Sequence, residues 1–121
     1  MMNANIKLIA EKLINKTDLG QAIWTKTSRD SEFKLELTKS SITTDLWDDG
    51  GIKWIDFCIY NVNGDPIERE AFSENQVSDF TLLEKVYESA NKSYYKIDET
   101  LKTIFDELDG EDIVGEKDVP F

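Results

Sequence analysis

The feature that most constrains the fold is a change in hydrophobic period along the chain. Apolar residues recur every three or four positions near the N-terminus, alternate with polar residues from Ile23 to Phe72, and then return to the first spacing as far as Leu108. A period of 3.6 is typical of an amphipathic helix, and a period of two is typical of a half-buried strand. This order predicts an α+β domain with an N-terminal helix, an antiparallel β-meander of three to five strands, and a long C-terminal helix packed on the sheet.

The N-terminal helix is expected from about Asn5 to Thr17, because Asn3 or Asn5 can cap its start and Gly20 follows its end. The following strands are predicted from alternation and from turn signals. They are expected at Ile23–Lys26, Phe33–Leu37, Ile42–Trp47, from Lys53 or Trp54 to Val62, and at about Pro66–Phe72.

Two turn signals separate the longest of these strands. The first is the run of two aspartates and two glycines that ends in Gly50 and Gly51. The second is Asn63-Gly64, a strong hairpin signal because both residue types tolerate positive φ.

The C-terminal helix begins at a cap formed by Ser78 or Asp79 and ends before Gly110. Its regular apolar spacing also fits a coiled coil, but the flanking positions lack complementary charges, which favours packing on the sheet. The weakest stretch runs from Asn91 to Lys96, where a break between two helices is the alternative. We expect residues 1–108 to form one domain and residues 109–121 to form a flexible acidic tail.

The charge balance bears on the class of partner. Twenty-five acidic residues against 14 basic residues give a formal net charge of -11. This charge repels phosphate backbones and anionic membranes and attracts basic proteins, although it can also serve solubility alone. We therefore predict a protein partner, with a basic surface favoured, and no direct binding to nucleic acid or membrane. The single Cys58 and an N-terminus without a signal-peptide pattern indicate a cytoplasmic protein.

The residues for most catalytic mechanisms are missing from the sequence. There is no histidine, which is the commonest general base and metal ligand, and no glycine-rich phosphate loop is found. Cys58 lies among apolar residues of a predicted strand and has no basic neighbour to activate it. The sequence thus predicts a non-enzyme without a cofactor. The alternative is a carboxylate-dependent metalloenzyme that binds Mg²⁺ or Ca²⁺ near one hairpin turn through Asp45, Asp48, Asp49 and Asp56.

Strand parity points to a candidate interaction surface. If Ile55, Phe57 and Ile59 face the helices, then a period of two sends the intervening side chains to the opposite face of the sheet. Aromatic residues bordered by acids are typical of protein interfaces, unless a helix or the tail covers that face. The predicted partner-binding residues, which combine this face with the adjoining turn, are Asp45, Trp47, Asp48, Asp49, Trp54, Asp56 and Tyr60.

Short motifs resemble those of a loose set of small bacterial proteins that lack an assigned activity. The motifs are residues 9–13, residues 23–27 with the preceding Gly20, residues 83–90 and residues 96–101. The resemblance implies a helix, a β-meander and a C-terminal helix, and it transfers no functional residue.

These observations lead to three hypotheses. The favoured one is a non-catalytic acidic protein-binding module, such as an immunity, antitoxin-like or anti-defence inhibitor of a basic partner. The second is a self-associating structural or accessory subunit that forms a homodimer. The third is the metalloenzyme.

Overall fold

A computed structural model describes residues 2–115 of the protein and confirms the α+β architecture. Five antiparallel strands lie side by side in chain order, with helices before and after them. The elements are α1 (Ala4–Asp18), β1 (Trp24–Lys26), β2 (Glu32–Glu36), β3 (Ser41–Asp49), β4 (Ile52–Tyr60), β5 (Pro66–Ser73), α2 (Val77–Tyr95) and α3 (Ile97–Asp109).

The β3–β4 hairpin closes through a two-residue turn at Gly50 and Gly51. Their φ angles are 61° and 86°, which glycine adopts without the steric cost that a Cβ atom brings. The side chain of Asp48 strengthens this turn, because its Oδ1 accepts a hydrogen bond of 2.9 Å from the Gly51 N–H. This turn fixes the register of the nine-residue strands on either side.

The second turn lies where Asn63-Gly64 predicts it, but it is longer than a two-residue hairpin. Gly64 has a φ of 85°, whereas Asn63 does not adopt a positive φ. The Asn61 side chain explains the wider loop, because its Oδ1 accepts hydrogen bonds of 3.0 Å from the backbone N–H groups of Asn63 and Asp65.

The core lies between the sheet and α2, which contacts all five strands, while α1 packs on α2. Phe33 and Phe57 of the sheet and Leu83 of α2 are fully buried there. Leu37, which the predicted strand Phe33–Leu37 would place on the same face as Phe33, is 47% exposed instead. It lies beyond the end of β2 at Glu36, in the turn that leads to β3.

The long C-terminal helix is two helices, as the alternative at Asn91–Lys96 anticipated. Lys96 separates α2 from α3 and adopts a left-handed conformation with φ 52° and ψ 44°. Helix α2 provides the packing on the sheet, and α3 contacts α2 without burying any residue.

Of the predicted tail, residues 110–115 are exposed and residues 116–121 lie outside the described part of the chain.

Candidate functional site

The side of the sheet opposite α2, here called the far face, carries the residues that strand parity assigns to it. The tight turn at Gly50 and Gly51 sets the β3–β4 register, and directly paired residues of antiparallel strands point to the same side. The pairs on the far face are Ser41 with Tyr60, Thr43 with Cys58, Asp45 with Asp56, and Trp47 with Trp54.

Trp47 and Trp54 form an aromatic pair near the turn end of the hairpin. Their ring centroids are 6.4 Å apart and the ring planes differ by 11°, which is within the range of offset stacking. Both side chains are half-buried, so each keeps part of its ring accessible. Asp48 and Asp49 follow Trp47 directly and are exposed. This end of the sheet therefore combines aromatic surface with accessible carboxylates.

Asp45 and Asp56 are adjacent to the tryptophan pair but are buried, with 0% and 3% of their surface exposed. The Ser31 hydroxyl donates a 2.6 Å hydrogen bond to Oδ1 of Asp45, and Nη2 of Arg29 lies 2.7 Å from its Oδ2 as an ion pair. Arg69 of β5 donates a 3.1 Å hydrogen bond to Oδ2 of Asp56. The two acids therefore hold two arginines, which are more than half exposed, against the sheet.

Neither arginine was among the residues predicted for this site from the sequence. Arg69 is opposite Cys58 in the β4–β5 register and therefore lies on the far face. Alternation along β5, together with the register, was the signal that could have placed it there. Arg29 lies in the loop before β2, where no periodic signal operates.

The carboxylate of Asp56 is in an unfavourable environment for a charged group. Burial raises its pKa above the ordinary value of 3.8; Arg69 opposes this rise, whereas the negative charges of Asp45 and Glu32 add to it. Its Oδ1 has no hydrogen-bond partner among residues 2–115. Because Asp45 and Asp56 are buried, their carboxylates pair with Arg29 and Arg69 and are not open to direct contact from solvent.

Tyr60 lies apart from the other predicted site residues. It lies six positions after Trp54 along β4, which corresponds to about 20 Å of extended strand. The neighbouring Cys58 is buried, with 2% of its surface exposed. The predicted residues thus form one group around the tryptophan pair and the β3–β4 turn, with Tyr60 at the opposite end of the strands.

The four aspartates of the metalloenzyme hypothesis do not converge on one point. Asp45 and Asp56 lie on the far face, whereas Asp48 and Asp49 are exposed at the turn end of the hairpin. In the described part of the chain, no group of three acidic or cysteine side chains is arranged to hold a metal ion. The carboxylates of this hairpin therefore offer no shared coordination sphere.

A second accessible surface is the apolar face of α3, which the sequence analysis assigned to packing on the sheet. Leu101, Ile104, Phe105 and Leu108 are between 45% and 62% exposed. Apolar faces of this kind on small proteins commonly mark contact sites. Periodicity detects such a face but does not say whether its partner lies in the same chain.

Comparison with known proteins gives no relative from which a role can be transferred. No family model, curated protein or solved structure matched the chain. The resemblance to small bacterial proteins therefore gains no support from these comparisons. Over residues 2–115, no helix has both the length and the apolar character needed to cross a membrane.

Proposed function

We propose that this protein is a non-catalytic binding module that recognises a basic protein through the turn end of its far face. The observation that carries this proposal is the pairing of Trp47 and Trp54, stacked and half-buried, with the exposed Asp49 on the same face and the exposed Asp48 at the adjoining turn. Tryptophans supply large contact areas at protein interfaces, and carboxylates at the rim select a partner of opposite charge.

The whole-molecule charge supports the same class of partner. A formal net charge of -11 accelerates the approach of a cationic surface and opposes the approach of nucleic acid. Carboxylates presented on a rigid hairpin can occupy a groove that otherwise accepts phosphates. An immunity, antitoxin-like or anti-defence inhibitor acting in the cytoplasm fits this chemistry.

Affinity capture from the native host at low salt tests the proposal. The wild-type protein is expected to retain a basic protein that is released as salt is raised, because the encounter is electrostatic. Trp54→Asp should greatly reduce retention, since it removes half of the aromatic pair and adds a negative charge next to the rim. Val62→Asp, which places the same charge on the 71% exposed loop beyond β4, is the matched control.

Failure to recover any protein partner at low salt would contradict the proposal, as would equal retention by both variants. Self-association remains the alternative function of this surface. Light scattering of the same samples at high concentration separates the two functions, because a dimer broken by Trp54→Asp indicates that the partner is a second copy.

A further inference from the structure

Helix α3 presents a continuous apolar face that the rest of the described chain does not cover. Leu101, Ile104 and Leu108 follow Ile97 at intervals of four, three and four residues, which places them on one side of the helix. Phe105 widens this side and is 62% exposed. The same spacing occurs in helices that insert into the apolar groove of another protein.

The polar side of α3 is predominantly acidic. It contains five acidic residues and a single lysine, Lys102, so its formal net charge is -4. At 100° per residue, Asp98 and Asp109 border the apolar face beside Phe105, and Glu107 borders it on the other side. The apolar face is thus bordered by carboxylates along both edges.

The end of α2 and the following Lys96 direct α3 away from the core. Nζ of Lys26 lies 4.6 Å from the centroid of the Phe33 ring, 5.8 Å from that of Tyr94 and 5.4 Å from that of Tyr95. These cation–π contacts fix the last turn of α2 to the edge of the sheet. The left-handed Lys96 then redirects the chain, and α3 leaves α2 with none of its residues buried.

We propose that α3 binds an apolar groove of a partner protein, and that lysine or arginine side chains line the rim of that groove. Charge complementarity decides between the candidate occupants of this face. A second copy would bring another -4 helix against the first, and an anionic membrane surface would repel the same carboxylates. A basic rim instead pairs with the acids on both edges of the apolar face.

Two designed helical hairpins test this proposal with the full-length protein. Both have the same leucine-lined groove; lysines line the rim of one groove, and glutamates line the rim of the other. Fluorescence anisotropy of the labelled protein should show binding to the lysine-rimmed hairpin that weakens as salt is raised. The glutamate-rimmed hairpin should bind at least about tenfold more weakly, because like charges oppose the contact.

Two variants of α3 assign the binding to the apolar face. Phe105→Asp should abolish binding to the lysine-rimmed hairpin, whereas Thr103→Asp adds the same charge on the opposite side of the helix and should leave binding intact. Phe105 and Thr103 are both exposed, so neither change should disturb the core, and circular dichroism checks this. Absence of binding, equal binding to both hairpins, or equal loss in both variants would overturn the proposal.

Other occupants of the apolar face give distinct results. Concentration-dependent dimerisation that Phe105→Asp removes would assign the face to a second copy and overturn the proposal. Binding to phosphatidylcholine vesicles that the same variant removes would assign it to a lipid surface, with the same consequence. The far-face variant Trp54→Asp should bind the lysine-rimmed hairpin normally, so failure of the α3 proposal is distinguishable from failure of the proposed function.

Discussion

At the residue scale, Asp45 and Asp56 are two carboxylates buried on the far face, each paired with an exposed arginine. Two carboxylates that face each other across a strand pair repel, and burial adds to the cost of their charge. Arg29 from the β1–β2 loop and Arg69 from β5 reduce this cost, but both are largely solvated, so their compensation is partial. Asp56 is therefore a site where replacing charge with a neutral group should stabilise the fold.

We expect the benefit of Asp56→Asn to increase with pH. Since the pKa of Asp56 is raised on folding, the folded state holds the proton more tightly than the unfolded state, and stability falls as pH rises from 3.8 through the folded value. Asparagine has no charge to bury. The free energy of unfolding of the variant, measured by urea denaturation, should therefore exceed that of wild type by more at pH 7 than near pH 3.5. Asp49→Asn controls for net charge, and a difference that does not change with pH would contradict the assignment.

At the element scale, the sequence marked Asn91–Lys96 as the stretch where the long helix could break, but it did not indicate a left-handed residue at Lys96. Helices usually end in this conformation at glycine, because a Cβ atom makes it costly for other residues. The apolar spacing continues through the break, so periodicity predicts one helix where the backbone forms two. The strands were predictable because alternation and the Gly50-Gly51 turn fix both their faces and their register.

Two glycine substitutions four residues apart should have opposite effects on stability. Lys96→Gly removes the strain of a left-handed lysine and should raise the free energy of unfolding by about 0.5–1 kcal/mol. Lys92→Gly lies within the last turn of α2 and should lower it by about 1 kcal/mol, because glycine disfavours a helix. Urea denaturation followed by tryptophan fluorescence measures both. Destabilisation by Lys96→Gly would mean that the lysine side chain contributes more than its backbone strain costs.

At the scale of the whole molecule, the chain divides into a packed body and a protruding helix. The body comprises α1, the sheet and α2, which share one core. The sequence predicted that Trp47 and Trp54 share the far face, because strand side chains alternate between the two faces of a sheet. The exposure of α3 was not, since it depends on the direction in which the chain leaves Lys96 rather than on which residues are apolar.

This division predicts that a chain ending at Lys96 folds on its own. Truncation removes the contacts of α3 with α2, and none of residues 97–115 is buried, so the free energy of unfolding should change by less than about 1 kcal/mol. Urea denaturation should remain a single cooperative transition, and binding of an apolar fluorescent dye should decrease as the exposed face is lost. The truncated protein should also retain the far-face partner while losing the lysine-rimmed hairpin. A helix that only displays a binding face contributes little to the stability of the domain that carries it. A decrease of more than about 2 kcal/mol in the free energy of unfolding would therefore show that α3 belongs to the folded body.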